Sequence, residues 1–334
     1  MPGRPTNEAD NYFAIGKQTA KGTEATTFYF LKHLDGTGLE LEESVSSEHE
    51  GGDAQEVGLR YKDAISMDGA AMVNARPEIA ARLFAYALGA DGATNQVPDT
   101  ASGANQHIAA PTALGSAAAY LTVEQKWADV IERVSDAQVT QLTVEGESGR
   151  PLKLSADVIG GGTPYRRNAA ASSLTPTRES GQPYFYPGGS YVIDGAGNTK
   201  ITKFRGVVRR GVDDNIRTTQ LFREDVVSLT FETDLEFTLK YEDNALYDKI
   251  HYGSGTVVPL DLATGSFAAY TTFGSGTAAR SLRVAFPVFQ YTGARVNRLD
   301  PDGKTCYIDV TAQSLKGATH SVFTEVVTAS QAAF

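Results

Sequence analysis

The sequence predicts a mainly β protein: two tandem β-sandwich or half-barrel domains, each flanked by a short α-helix, with long loops. Three observations carry this expectation. Apolar residues alternate with polar ones in short runs bounded by turn residues. Clear helical starts and stops are confined to two brief segments. A pattern of strand, polar loop, strand, helix and further strands occurs twice along the chain.

Taken in order, Leu39, Leu41 and Val45 alternate imperfectly, and Val57, Leu59, Tyr61, Ile65 and Met67 alternate again after a polar loop from Ser46 to Glu56. Two antiparallel strands are expected there. A helix follows from Ala75-Arg76-Pro77-Glu78-Ile79, because proline suits a first turn and Glu78 complements the positive end of the helix dipole. Leu83, Tyr86 and Leu88 continue it and Gly89 ends it. Residues 91–113, rich in Ala, Asn, Gly, Pro and Thr, lack periodicity and read as a long surface loop. Tyr120–Val123, Val139–Glu145 and Leu152–Ile159 read as strands, the last two joined by the turn Glu147-Ser148-Gly149-Arg150. Between them, Trp127, Val130, Ile131 and Val134 fall at helical spacing, so periodicity leaves 126–134 open between helix and strand. Gly160-Gly161-Gly162 and the Ser/Thr/Pro-rich 163–183 read as a connector.

Beyond it, Val226–Phe231 and Leu235–Tyr241 alternate, Asp243–Ile250 forms a short helix with Gly253 behind it, and strands follow at Leu282–Phe289, Thr305–Val310 and His320–Val327. Asp300-Pro301-Asp302-Gly303 is expected to be a hairpin turn. At an offset of 164 residues, Ile65, Met67, Ala71, Val73, Ala75, Leu88 and Gly89 fall on Leu229, Phe231, Leu235, Phe237, Leu239, Tyr252 and Gly253. Nearer the end the offset is 154, setting Gly149, Leu152, Leu154 and Ala156 on Gly303, Cys306, Ile308 and Val310, as one loop shorter by ten residues requires. The expected organisation is a first domain over 1–163 with an N-terminal arm, a connector over 164–200 and a second domain over 201–334.

The 334 residues carry 40 Asp and Glu against 30 Lys and Arg, a net charge of −10, with 41% hydrophobic residues, enough for a packed core. Such a balance disfavours a protein that grips nucleic-acid phosphates over a broad surface, which needs positive charge to displace counterions. One cysteine, Cys306, excludes an intramolecular disulfide and a four-cysteine zinc site. No apolar stretch approaches the ~18 residues of a membrane helix, and the first ten residues contain no apolar region of a secretory leader. The charge is uneven: residues 1–163 hold 23 acids and 12 bases, a balance of −11, and residues 164–334 hold 17 and 18, or +1. Glu48, Glu50, Asp53 and Glu56 belong to an acidic run without a single Lys or Arg, and Arg205, Arg209, Arg210 and Arg217 occupy a corresponding place in the later half. The run is either a solvated face or a surface that meets a basic partner.

Catalytic patterns are missing. Among five scattered histidines only His49, in Glu48-His49-Glu50-Gly51-Gly52-Asp53, has potential metal ligands nearby, and no further ligands recur at a suitable spacing. Asp300-Pro301-Asp302-Gly303 lacks the later ligands of a calcium loop. There is no G-x-S-x-G elbow, and Gly160-Gly161-Gly162 lacks the Lys-Ser/Thr ending of a phosphate loop. Adjacent pairs such as Glu42-Glu43 or Asp213-Asp214 face opposite sides of a strand and cannot flank one bond. Cys306 alternates with Ile308, the pattern of a packing residue. Neither an enzyme nor a cofactor is expected.

The order Phe13-Ala14-Ile15-Gly16-Lys17-Gln18-Thr19-Ala20-Lys21-Gly22-Thr23-Glu24-Ala25, the acidic strand and loop, Met67-Asp68-Gly69 and the Pro77 helix ending Ala87-Leu88-Gly89 resemble the major tail tube proteins of long-tailed, siphovirus-like bacteriophages, in a duplicated-domain form. The specific part of the resemblance is the first 90 or so residues. Tyr120-Leu121-Thr122-Val123-Glu124 and the C-terminal strands support it further. The resemblance implies a structural virion protein whose strands join neighbouring copies into rings that stack as a hollow tube around a DNA-sized channel. A duplicated chain implies a homotrimeric, pseudo-hexameric ring, assembled in the host bacterial cytoplasm and carried in the virion tail. Its partners would be itself, a tape-measure protein, a tail terminator and baseplate or tail-tip proteins, with DNA passing unbound and no membrane involved. Inter-ring and inter-subunit contacts are expected at Glu48, His49, Glu50, Asp53, Glu56, Arg205, Arg209, Arg210 and Arg217. Two alternatives are a tail terminator or the tube of a contractile injection device, and a carbohydrate-binding β-domain using Trp127, Tyr184, Tyr186 and Tyr191 as stacking platforms.

Overall fold

The computed structural model of the chain describes residues 11–48, 59–88, 96–99, 104–111, 119–128, 130–168, 174, 178–179, 181–186, 189–216, 220–253, 261–273, 280–297, 306–315 and 322–328. The first elements are β1 (Tyr12–Lys17), β2 (Tyr29–Phe30), β3 (Gly38–Glu48), β4 (Leu59–Asn74), α1 (Pro77–Leu88), β5 (Gln96–Asp99), β6 (Ala104–Ala109), β7 (Leu121–Trp127), β8 (Val130–Glu147), β9 (Lys153–Ile159) and β10 (Tyr165–Asn168). They are followed by β11 (Gly189–Ile193), β12 (Ala196–Asn198), β13 (Ile201–Ile216), β14 (Asp225–Lys240), α2 (Ala245–His251), β15 (Thr264–Phe273), β16 (Arg280–Val296), β17 (Tyr307–Ser314) and β18 (Phe323–Thr328). The fold is mainly β, as the alternation of apolar residues predicts.

Eight strands pair antiparallel without interruption in the order β3–β4–β9–β8–β13–β14–β17–β16. The β3–β4–β9–β8 and β13–β14–β17–β16 series follow the same pairing order. With sequence offsets of 164 and 154, Leu235 would lie opposite Val310. The observed partner of Val310 is Phe237, two residues on and therefore still on the same face. The N-terminal half of β16 departs from this sheet to pair with β15 and β18, which carry β11–β12 and β6–β5. Phe267 of β15 stacks on Phe237 at 5.5 Å and lies 5.8 Å from Phe204, so the two layers close over an aromatic core.

β8 also bends. Residues 130–137 pair with β7 and β10 in a smaller sheet with β1 and β2, and residues 138–147 belong to the large sheet. The change of direction falls at Asp136, whose φ of 52° places it in the left-handed region. The segment left open between helix and strand is thus two strands joined at Ala128, itself at φ 52°. The expected loop at 91–113 is corrected as well: β5 and β6 form a hairpin there, and β6 pairs with β18, more than 200 residues away.

α1 runs over the range that Pro77 and Leu88 predict, and ten of its twelve residues are buried. It packs between the layers against β8, β13, β16 and β18. At its C-terminal end the buried Arg210 of β13 donates from Nη2 to the Ala87 carbonyl at 3.1 Å, satisfying an end that has no intrahelical partner. At its N-terminal end the Glu179 carboxylate accepts from the backbone N–H groups of Glu78 and Ile79. Gly89, the expected stop, and the expected turn at 300–303 lie outside the described residues.

Described parts of the segments read as a connector are packed. A Cβ on Gly160 would lie 2.5 Å from the Met67 carbonyl oxygen, and one on Gly161 2.6 Å from that of Asp136, so these glycines permit close backbone approach. Tyr184, fully buried, donates its N–H to Ala75, accepts from the N–H of Leu152 and reaches Ser281 with its hydroxyl.

Candidate functional site

The eight-strand sheet has two unlike faces. Met67, Ala71, Val73, Leu142, Val144, Leu154, Phe204, Leu235, Phe237 and Val310 point into the core. The other face is polar, and directly opposed residues form rows across it. One row is Asn74–Lys153–Glu145–Arg205–Glu236–Thr311–Gly293. Neighbouring rows contribute Asp157, Gln141 and Arg209, and Asp309, Thr238 and Lys203.

Most of this face is internally matched. Arg205 lies 3.1 Å from Glu145 and 3.9 Å from Glu236, and Arg209 pairs with Asp234 and reaches Gln141 at 3.0 Å. Gln141 donates to Asp157 at 2.9 Å. Partial burial nevertheless pushes the Asp157 carboxyl above its ordinary value, with the hydrogen bond opposing it. Asn297 and Thr238 both donate to Asp309. Toward β3 the face becomes acidic, with Glu40 directly opposite Asp68 and Glu42 two residues on along the same face, and Asp68 is held by the buried Arg223 at 2.7 Å. Gly69 belongs to this corner for a steric reason: a Cβ there would meet the Gly38 carbonyl oxygen at 2.1 Å.

The residues that the sequence assigns to assembly are only partly brought together. Arg205 and Arg209 share the polar face, while Arg210 points the opposite way, 7% exposed beneath α1. Glu48 is exposed at the end of β3 and accepts from Tyr61 at 3.1 Å. His49, Glu50, Asp53, Glu56 and Arg217 lie outside the described residues. The sugar-platform reading is corrected: Tyr184, Tyr186 and Tyr191 are core residues at 0%, 6% and 6% exposure, and only Trp127 is open.

Sequence reading missed the sheet's two ends. β3 pairs on one side with β4. On its other side the side-chain amide of Gln125 takes both backbone groups of Leu39, accepting from its N–H at 2.7 Å and donating to its carbonyl at 2.9 Å. At the far end, residues 293–296 of β16 pair with β17, and His251 Nε2 lies 3.0 Å from the Ala294 carbonyl. Only a strand-to-strand map identifies these edges, so the linear sequence carries no signal for them.

An extended sheet with one dry face, one wet face and two strand edges is suited to pairing with further strands rather than to chemistry. No curated protein matches the chain. A family model described as phage tail tube protein matches residues 8–312, and with nearly the whole chain matched, this protein belongs to the phage tail tube protein family and is a structural component of a virion tail.

Proposed function

We propose that the chain oligomerises into rings that stack into the hollow tube through which phage DNA passes. Three copies form each ring, every copy contributing two related units, one over 1–163 and one over 201–334, joined through 164–200. The observation that carries this reading is the uninterrupted eight-strand sheet whose polar face no other element of the chain covers among the described residues. Closing such sheets around an axis removes exposed strand edges and stops lateral growth, while leaving head-to-tail stacking open. The polar face lines the bore in this arrangement. Three chains at −10 each give a ring at −30, and an acidic bore would repel phosphate so that DNA slides rather than sticks.

Assembly takes place in the host bacterial cytoplasm, and the tube meets a tape-measure protein, a terminator and tail-tip proteins at its ends. The end of β3 and the segment beyond it, with Glu48, His49, Glu50, Asp53 and Glu56, bear on the neighbouring ring, and the basic partner for them is Arg217, since Arg205 and Arg209 are matched within the polar face by Glu145, Glu236 and Asp234. Arg210 is left out because its guanidinium serves α1. Negative-stain microscopy of the concentrated protein tests the reading: rings or tubes with sixfold-related density are expected, and a protein that stays monomeric under every associating condition overturns it. Glu48→Lys with Glu50→Lys is expected to stop growth at single rings. Tubes of unchanged length in that variant remove this segment from the inter-ring contact.

A further inference from the structure

We propose that a second copy of this chain lays its β3 edge along the β16 edge of the first, antiparallel, repeating the register of the chain's own β8–β13 seam. This rests on the ring reading above and adds to it the two strands, their register and the groups that hold them.

Inside the chain β13 already uses the edge of β8, with Gly206, Val207 and Val208 opposite Val144, Thr143 and Leu142. β8 carries a bulge between Val139 and Gln141, and β16 carries one between Tyr291 and Gly293, each on the side facing its hairpin partner. Superposing the bulges sets Leu142, Thr143 and Val144 on Ala294, Arg295 and Val296. Carrying the observed pairings through β9–β4 and β17–β14 sets Leu39, Glu40 and Leu41 on Gly206, Val207 and Val208. Copying the seam between molecules therefore places Leu39, Glu40 and Leu41 opposite Val296, Arg295 and Ala294.

Three independent features fit that register. Glu40 and Arg295, both exposed and both on the polar face, become a directly opposed pair of opposite charge. The core-side face gains cover: Leu41 is 49% exposed, and α2, lying against β16, has no buried residue, whereas α1 beneath the internal seam is almost wholly buried. Finally, the outward backbone groups of Leu39 and Ala294 are held by the side chains of Gln125 and His251. A strand replaces those contacts with ladder hydrogen bonds while the side chains swing away. Until then, the two side chains guard edges that would otherwise pair indiscriminately.

In this register 40 and 295 form a non-hydrogen-bonded pair, whose Cα atoms approach to about 4.5 Å and suit a disulfide. The test is Glu40→Cys with Arg295→Cys in a Cys306→Ser chain, oxidised after assembly. Covalent dimers and trimers on a non-reducing gel are expected, with neither single variant cross-linking above background. Rings seen by microscopy without cross-linking overturn the seam and leave the ring reading intact, and a Cys306→Ser parent that never forms rings overturns both. Where the double-cysteine chain itself fails to assemble, charge reversal decides. Glu40→Arg and Arg295→Glu should each reduce assembly at least tenfold and restore it when combined, and failure to restore overturns the register.

Discussion

Glu124 has no exposed surface, yet it accepts from the Tyr12 hydroxyl at 2.5 Å and from Arg133 Nε at 2.5 Å, while Arg133 also reaches Glu24 at 2.8 Å. Removing Glu124 leaves the buried Arg133 with only the exposed carboxylate of Glu24 to meet its charge. Glu124→Ala is expected to cost about 3–5 kcal/mol, read as a lower denaturant midpoint in equilibrium unfolding. Glu179 gives a pH signature. Burial pushes its carboxyl above the ordinary glutamate value of 4.5, although the Tyr29 hydroxyl and the first N–H groups of α1 oppose the shift. In this window the folded chain holds a proton that the unfolded chain has released. Glu179 therefore favours folding fully below about 4.5, and that contribution is lost as pH rises through the raised value. Thermal scans across this range should show Glu179→Gln losing the part of the pH slope that belongs to this group, and an identical slope in both chains would refute the assignment. Sequence inspection could not have found either residue, because both take their properties from partners 9 to 150 positions away.

At the scale of elements, β8 serves two sheets by turning at Asp136. The left-handed conformation there costs a residue with a Cβ about 1–2 kcal/mol, and the Asp136 carboxylate offsets part of this by accepting from the Gly22 N–H at 2.7 Å. Asp136→Ala keeps the strain and loses the hydrogen bond, so it should destabilise by about 1–3 kcal/mol, whereas Asp136→Gly should cost less because glycine relieves the strain that Asp and Ala both carry; chemical denaturation of both variants distinguishes them. The turn at Ala128 explains why Trp127, Val130, Ile131 and Val134 mimic helical spacing: two strands and a tight turn carry apolar residues to alternating faces at irregular intervals. α1 was legible because its start and length are local. β5, β6, β13 and β15 were not. β13 carries Arg205, Arg209 and Arg210 in what would otherwise read as an interior strand, and their charges are tolerated because Glu145, Asp234, Glu236 and the end of α1 receive them.

At the scale of the whole molecule, one hydrophobic cluster runs from Phe13 to Val326 and includes Tyr184, Tyr186 and Tyr191 from the stretch between the halves. The chain should therefore unfold in one calorimetric transition. Tyr184→Ala should lower the transition by about 3–5 kcal/mol without splitting it, and two separated transitions in the parent chain would contradict a shared core. From its own letters the sequence determined the β class, the helix at Pro77, the uneven charge and the kinship carried by the first 90 residues, since alternation, capping and composition are local properties. Tertiary structure alone decided which strands lie side by side, that the triple glycine is a close approach, which arginine faces the sheet and which the helix, and where the sheet's edges fall. Those depend on hydrogen bonds between strands far apart in the chain, and period-two alternation states which side of a strand is dry but carries no record of its neighbour.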